Sequence, residues 1–70
     1  MSDLETLLLD AHGRDDRPAL VTLYSEAADI APDEGAAGFF LTQAYVYALE
    51  LAHPQTGALH ARLVALGREE

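Results

Sequence analysis

The chain has 70 residues, half of them hydrophobic, with twelve acidic residues against four arginines, no lysine, no cysteine and a formal charge of −8. That length is one domain spanning 1–70, whose single core leaves a margin of only a few kcal/mol, and without cysteine neither a disulfide nor a thiolate metal site can add to it. The acidity repels phosphate backbones and anionic membranes, and no apolar run approaches the roughly 20 residues that span a bilayer, so neither nucleic acid nor membrane is expected as a partner.

Ser2-Asp3-Leu4-Glu5 has the pattern of a capping box, and Leu4, Leu7, Leu8 and Ala11 follow at one stripe of a 3.6-residue period. Gly13 is the expected left-handed stop of this first helix, and Leu9 lies off its stripe. Asp16 then caps a second helix that tolerates Pro18 in its first turn. Its inward stripe is Leu20, Leu23, Tyr24, Ala27 and Ile30 or Ala31, widened by Val21 and Ala28, which predicts neighbours on two sides.

Pro32 stops that helix and Asp33 caps the third and longest, expected over 34–52. Ala37, Phe40, Leu41, Ala44, Tyr47 or Ala48, and Leu51 share one face, Gly38 permits close approach, and Phe39, Val46 and Leu49 spread beyond it. Tyr24 and Phe40 are expected to be largely buried where the second and third helices face each other. After His53-Pro54, Thr56 is the expected cap of a fourth helix whose stripe is Leu59, Leu63 and Leu66, closed by Gly67. Linkers of two to five residues make consecutive helices antiparallel neighbours. The fold class is therefore all-α: four antiparallel helices as two stacked hairpins, 2–31 and 33–67.

The halves echo each other: Leu7 falls on Leu41 and Ala11 on Tyr45 at an offset of 34, while Leu20, Tyr24 and Ala27 fall on Leu59, Leu63 and Leu66 at 39. With Leu4, Leu7, Tyr24, Ala27 and Pro32 in matching register, the first unit resembles the tetratricopeptide repeat, a 34-residue helix-turn-helix. Leu8, Ala11, Asp15 and Leu20 stand where that motif has glycine, an aromatic, glycine and alanine, and the second unit keeps only Leu41 and Tyr45. A plain small four-helix bundle would produce similar spacings.

The densest polar cluster is His12 with Asp10, Asp15 and Asp16, the residue types of a metal site or general base, set at a helix end where a histidine also suits the dipole and aspartates also cap. His53 and His60 flank a helix start with no cysteine to complete a zinc site, and no nucleophile elbow, phosphate loop or zinc-protease motif occurs. Tyr24, Phe39, Phe40, Tyr45 and Tyr47 read as core more readily than as a pocket, although Tyr45 and Tyr47 point about 200 degrees apart, so one of them should leave the main core.

No enzyme, metal or cofactor is expected. The resemblance implies a non-catalytic protein-interaction module, and the acidity favours a basic partner segment. The expected contact residues are Leu9, Tyr45, Val46 and Leu49, apolar positions off the hairpin core, and covering them predicts a homodimer. A small helical ligand or metal carrier and an acidic regulatory or inhibitory protein are the alternatives. Met1-Ser2-Asp3 carries no basic stretch ahead of an apolar run, which makes a cytoplasmic protein the expectation, and arginine without lysine fits a high-GC bacterial genome.

Overall fold

The computed structural model describes residues 3–67, which form four helices: α1 (Asp3–Arg14), α2 (Arg17–Asp29), α3 (Glu34–Leu51) and α4 (Thr56–Ala65). The chain is all-α, as the spacing predicts, and no strand occurs among the described residues. Ser2 of the expected capping box lies outside the described residues.

Two of the expected starts are in place. The Asp16 side chain accepts from the Ala19 amide (3.3 Å) with Pro18 in the first turn of α2, and the Asp33 side chain accepts from Ala36 (2.8 Å) at the start of α3. The fourth start differs. Thr56 is already the first residue of α4, where its hydroxyl donates to the His53 carbonyl (2.7 Å), and Gln55 occupies the cap position without a side-chain bond.

The stops differ more. Gly13 stays helical and Asp15 takes the left-handed conformation (φ 54°); α3 ends at Leu51, and Ala52 does the same (φ 52°). In both hairpins the residue after the left-handed one reaches back five positions, Asp16 N–H to the Ala11 carbonyl and His53 N–H to the Ala48 carbonyl, each 2.9 Å. This closed turn satisfies a carbonyl that the helix end would otherwise leave bare.

These turns fix a register that the sequence alone does not show. Asp15 and Ala52 stand 37 positions apart, which matches Ala11 to Ala48, both fully buried, and Leu4 to Leu41. The 34-residue offset instead matches Leu7, half exposed, with Leu41, which is buried. The second helices do match at 39, since Leu20 and Leu59 are both buried.

α2 and α3 form the most extensive helix pair, with α1 on the free side of α2 and α4 on the free side of α3. No comparable contact joins α1 to α4 among the described residues, so the helices form an open row, not a closed bundle. The Cα extents are 32 × 28 × 13 Å, the 18-residue α3 alone being about 27 Å long, and next-nearest helices also touch, α2 and α4 through Asp29 and Arg62 and α1 and α3 through His12 and Tyr47.

The core runs through this row as Val21 and Ala28 of α2, Leu41, Ala44 and Ala48 of α3, and Leu59 and Leu63 of α4. Alanine at so many facing positions lets helices approach closely, and the two-sided packing expected of α2 is present. On α1 the only buried residue is Ala11. Leu7 and Leu51, expected inside, are exposed, and so is Ile30, since α2 ends just before it. Tyr24 and Phe40 pack against the core but remain half-buried at its edge, facing α1.

Candidate functional site

Because α1 is covered on one side only, its stripe does not close. Leu4 and Leu8 face Phe40 of α3 across the end of α2, where Ala27, Ala31 and Pro32 are too small or too short to fill the space. The result is an open apolar groove of about 390 Å³, with α1 as one wall, the front of α3 as the other and α2 as the floor. Glu5 and Ile30 also line it. A smaller depression between α3 and α4 is lined by Ala37, Leu41, Arg62, Ala65 and Leu66.

Below the groove, toward the α1–α2 turn, an aromatic cluster ties the three helices together. Tyr24 stacks on Tyr47 (centroids 6.2 Å apart) and lies 6.2 Å from Phe40, while the His12 ring meets Tyr24 and Tyr47 edge-on. His12 Nε2 and the Tyr24 hydroxyl share a hydrogen bond of 2.8 Å, its direction set by which ring nitrogen holds the proton. Burial raises the Tyr24 hydroxyl above its ordinary value of 10.0, and the neighbouring Tyr47 adds to the rise.

This geometry separates His12 from the aspartates beside it in sequence. Arg14 takes Asp10 (2.9 Å) and Asp16 (3.1 Å), and Arg17 takes Asp15 (3.3 Å) and Glu50 (3.5 Å). The dense polar cluster is therefore a set of exposed ion pairs around two arginines, each pair contributing about 0–1 kcal/mol. His53 accepts the Gln55 amide on Nδ1, and His60 lies against Tyr45, so the three histidines occupy three separate neighbourhoods. Among the described residues no three His, Asp or Glu side chains gather to hold a metal ion.

Charge divides unevenly between the ends of the row. The turn end, with Asp10, Asp15, Asp16 and Glu50, also holds Arg14 and Arg17. At the groove end are Asp3, Glu5, Asp33 and Glu34, along with Asp29, which takes Arg62 (2.6 Å). Among the described residues the groove end therefore carries these five acidic residues and one arginine, and the turn end four and two.

The four expected contact residues are dispersed. Val46 and Leu49 are exposed on the outer side of α3 together with Phe39, and Leu9 is exposed on α1. Tyr45 is half-buried against His60 on the α4 side, while Tyr47 turns toward α2, so the two tyrosines do point apart but both flank the core. Sequence reasoning assigned Leu4, Leu8 and Phe40 to the core and so missed the groove. The available signal was size: Ala27, Ala31 and Pro32 at the end of α2 are too small to fill the space between Leu4, Leu8 and Phe40.

No helix among the described residues is long and apolar enough to cross a membrane. No protein-family model matches the chain, and no curated protein and no solved structure matches it.

Proposed function

We propose that the protein is a non-catalytic interaction module that takes an apolar segment of a partner protein into the groove between α1 and α3. The observation that carries this reading is the groove itself, an open apolar concavity lined by Leu4, Leu8, Ile30 and Phe40. Leaving such surface in water is unfavourable by about 25 cal/mol per Å², and a contiguous concave apolar patch on a small protein is where binding energy is available. The tetratricopeptide resemblance points the same way, since paired helices of that kind present a groove to peptides. The non-catalytic reading is supported by His12 being engaged with Tyr24 and by the neighbouring aspartates being held by arginines.

A small-ligand carrier is the second reading, favoured by the groove's volume, which falls within the range of small-molecule sites. Selecting binders from a displayed random peptide library and mapping them by amide chemical shifts separates the two. The module predicts peptides that shift Leu8, Ala27, Ala31 and Phe40 and that lose binding to Leu8→Asp while the variant keeps its helicity. Peptides indifferent to Leu8→Asp, or no peptides at all beside a bound apolar dye, would overturn it.

The same reading includes self-association through the outer side of α3. From Gly35 to Leu49 that helix carries no charge, and Phe39, Val46 and Leu49 are exposed along it. Two copies meeting there would bring no like charges into the seam, and the remaining repulsion is screened beyond about 8 Å at physiological salt. Sedimentation equilibrium checks this: a dimer that Val46→Glu dissociates is expected, and a strict monomer at every concentration removes it.

A further inference from the structure

We infer that a second copy of the chain docks along the outer side of α3 in antiparallel orientation, Phe39 of each copy against Leu49 of the other, about a two-fold axis between Thr42 and Val46. The inference rests on the self-association reading and adds the register and direction of the pairing.

The register follows from spacing. Gly35, Phe39, Thr42, Val46 and Leu49 are four, three, four and three positions apart, the alternation that keeps one seam of a helix turned toward a partner helix. All five are exposed, on the side of α3 away from the buried Leu41, Ala44 and Ala48. The seam also runs through a stretch without charge, Gly35 to Leu49. On α1, by contrast, the exposed Leu7 has Asp3 and Asp10, and the exposed Leu9 has Glu5, one turn away on the same helix. Thr42, the polar member of the seam, already donates its hydroxyl to the Gly38 carbonyl (2.8 Å), so a partner can cover it without stranding a donor.

The partner follows from the order of sizes. Phe39, Thr42, Val46 and Leu49 run large, medium, medium, large, so the seam turned end for end meets itself layer by layer, Phe39 on Leu49 and Thr42 on Val46. An uncharged face is also what a chain of formal charge −8 needs in order to meet its like, because any carboxylate in the seam would appear twice across the two-fold axis.

The direction follows from the helix ends. Side by side in parallel, two copies would align their α3 dipoles and bring their Asp33 caps together. In antiparallel pairing opposite helix ends are neighbours, and the two Asp33 side chains stand a full helix length apart, about 27 Å, far beyond the screening length of about 8 Å. At the other end Glu50 falls opposite Ala36 of the second copy, and its own contact is with Arg17 of α2 (3.5 Å). A seam one helix long, about 27 Å by about 10 Å, is smaller than a standard stable interface, so the association expected is reversible at micromolar concentrations. Phe40, which lines the groove, lies about 100 degrees round α3 from Phe39, so seam and groove occupy different sides of the helix.

The chain has no cysteine, so engineered thiols report this geometry cleanly. Ala36→Cys and Glu50→Cys each place one thiol beside the seam, at opposite ends of α3, and a short bis-maleimide joins only thiols that lie close together. Expected is a covalent dimer from the equimolar mixture of the two variants and little from either alone, with the yield falling about tenfold when both also carry Val46→Glu. Val46 is exposed, so that change should leave the helicity by circular dichroism intact. Cross-linking of each variant with itself rather than with the other means a parallel seam and overturns the inference, while self-association stands. A dimer by sedimentation equilibrium that gives no cross-link in the mixture, or that Leu8→Asp dissociates and Val46→Glu does not, is built on another surface and overturns it as well. A strict monomer at every concentration removes both the inference and the reading it rests on.

Discussion

α1 and α3 leave their helices through the same left-handed turn, at Asp15 in one hairpin and Ala52 in the other, yet the two hairpins are packed to different depths. The second places Leu59 and Leu63 of a ten-residue helix wholly inside, whereas the first buries a single alanine of the twelve-residue α1. The turn explains the pairing but not the depth. α1 and α4 each pack extensively on a single helix, so the depth is set by what that neighbour offers: Leu59 and Leu63 join the core with Leu41, Ala44 and Ala48 of α3, whereas Leu4 and Leu8 meet only small side chains at the end of α2.

The largest expected effect tests that asymmetry directly. Leu63→Ala should cost about 2–5 kcal/mol, enough to unfold most of a protein with this margin, while Leu7→Ala should stay within about 0.5 kcal/mol. Urea unfolding followed by circular dichroism measures both. A costly Leu7→Ala would mean that the outer side of α1 is covered in solution.

The two turns offer the next contrast. A non-glycine residue in the left-handed region costs about 1–2 kcal/mol, and aspartate tolerates it better than alanine. Ala52→Gly should therefore raise stability by about 1 kcal/mol, visible as a higher thermal midpoint, and Asp15→Gly should gain less because it also gives up the contact with Arg17. Equal gains at both positions would show that aspartate has no advantage in this turn.

Tyr24→Phe removes the hydrogen bond that ties α1 to α2 and should cost about 0.5–1.5 kcal/mol near neutral pH. It should also change the alkaline limb. The Tyr24 hydroxyl ionises above its ordinary value in the folded chain, so its contribution is intact below about pH 10 and is lost as the pH rises through the raised value. Thermal midpoints from about pH 8 to about pH 12 should fall less steeply in the variant than in the parent. Parallel curves would detach the alkaline loss from this residue.

The smallest effect is expected at Glu50→Gln, which breaks the 3.5 Å pair between the start of α2 and the end of α3. An exposed pair of this kind should change stability by at most about 0.5 kcal/mol, less still in added salt. A larger loss would mean that charge, and not the alanine seam, holds α2 on α3.

The number, order and type of the helices are legible along the chain, because a 3.6-residue apolar period and the caps Asp16 and Asp33 are local signals that act within a turn or two. The same period also marked Leu9, Phe39, Val46 and Leu49 as lying off the inward faces, since the angle of a residue on a helix depends only on its position in the chain. How deep each inward face lies depends instead on the packing of the helices against one another. Leu4 and Leu8 follow the same pattern as Leu59 and Leu63, yet the latter pair is fully buried in the core while the former opens onto the groove beside the small Ala27, Ala31 and Pro32. The turns belong with the undecided part as well: Gly13 looked like the stop, but α1 runs on until Asp16 can both close the turn onto Ala11 and cap α2, a double role fixed by where the next helix packs. His12, too, was assigned to the carboxylates beside it in sequence or to its helix end, whereas its partners Tyr24 and Tyr47 come from other helices that only the folded row brings within reach.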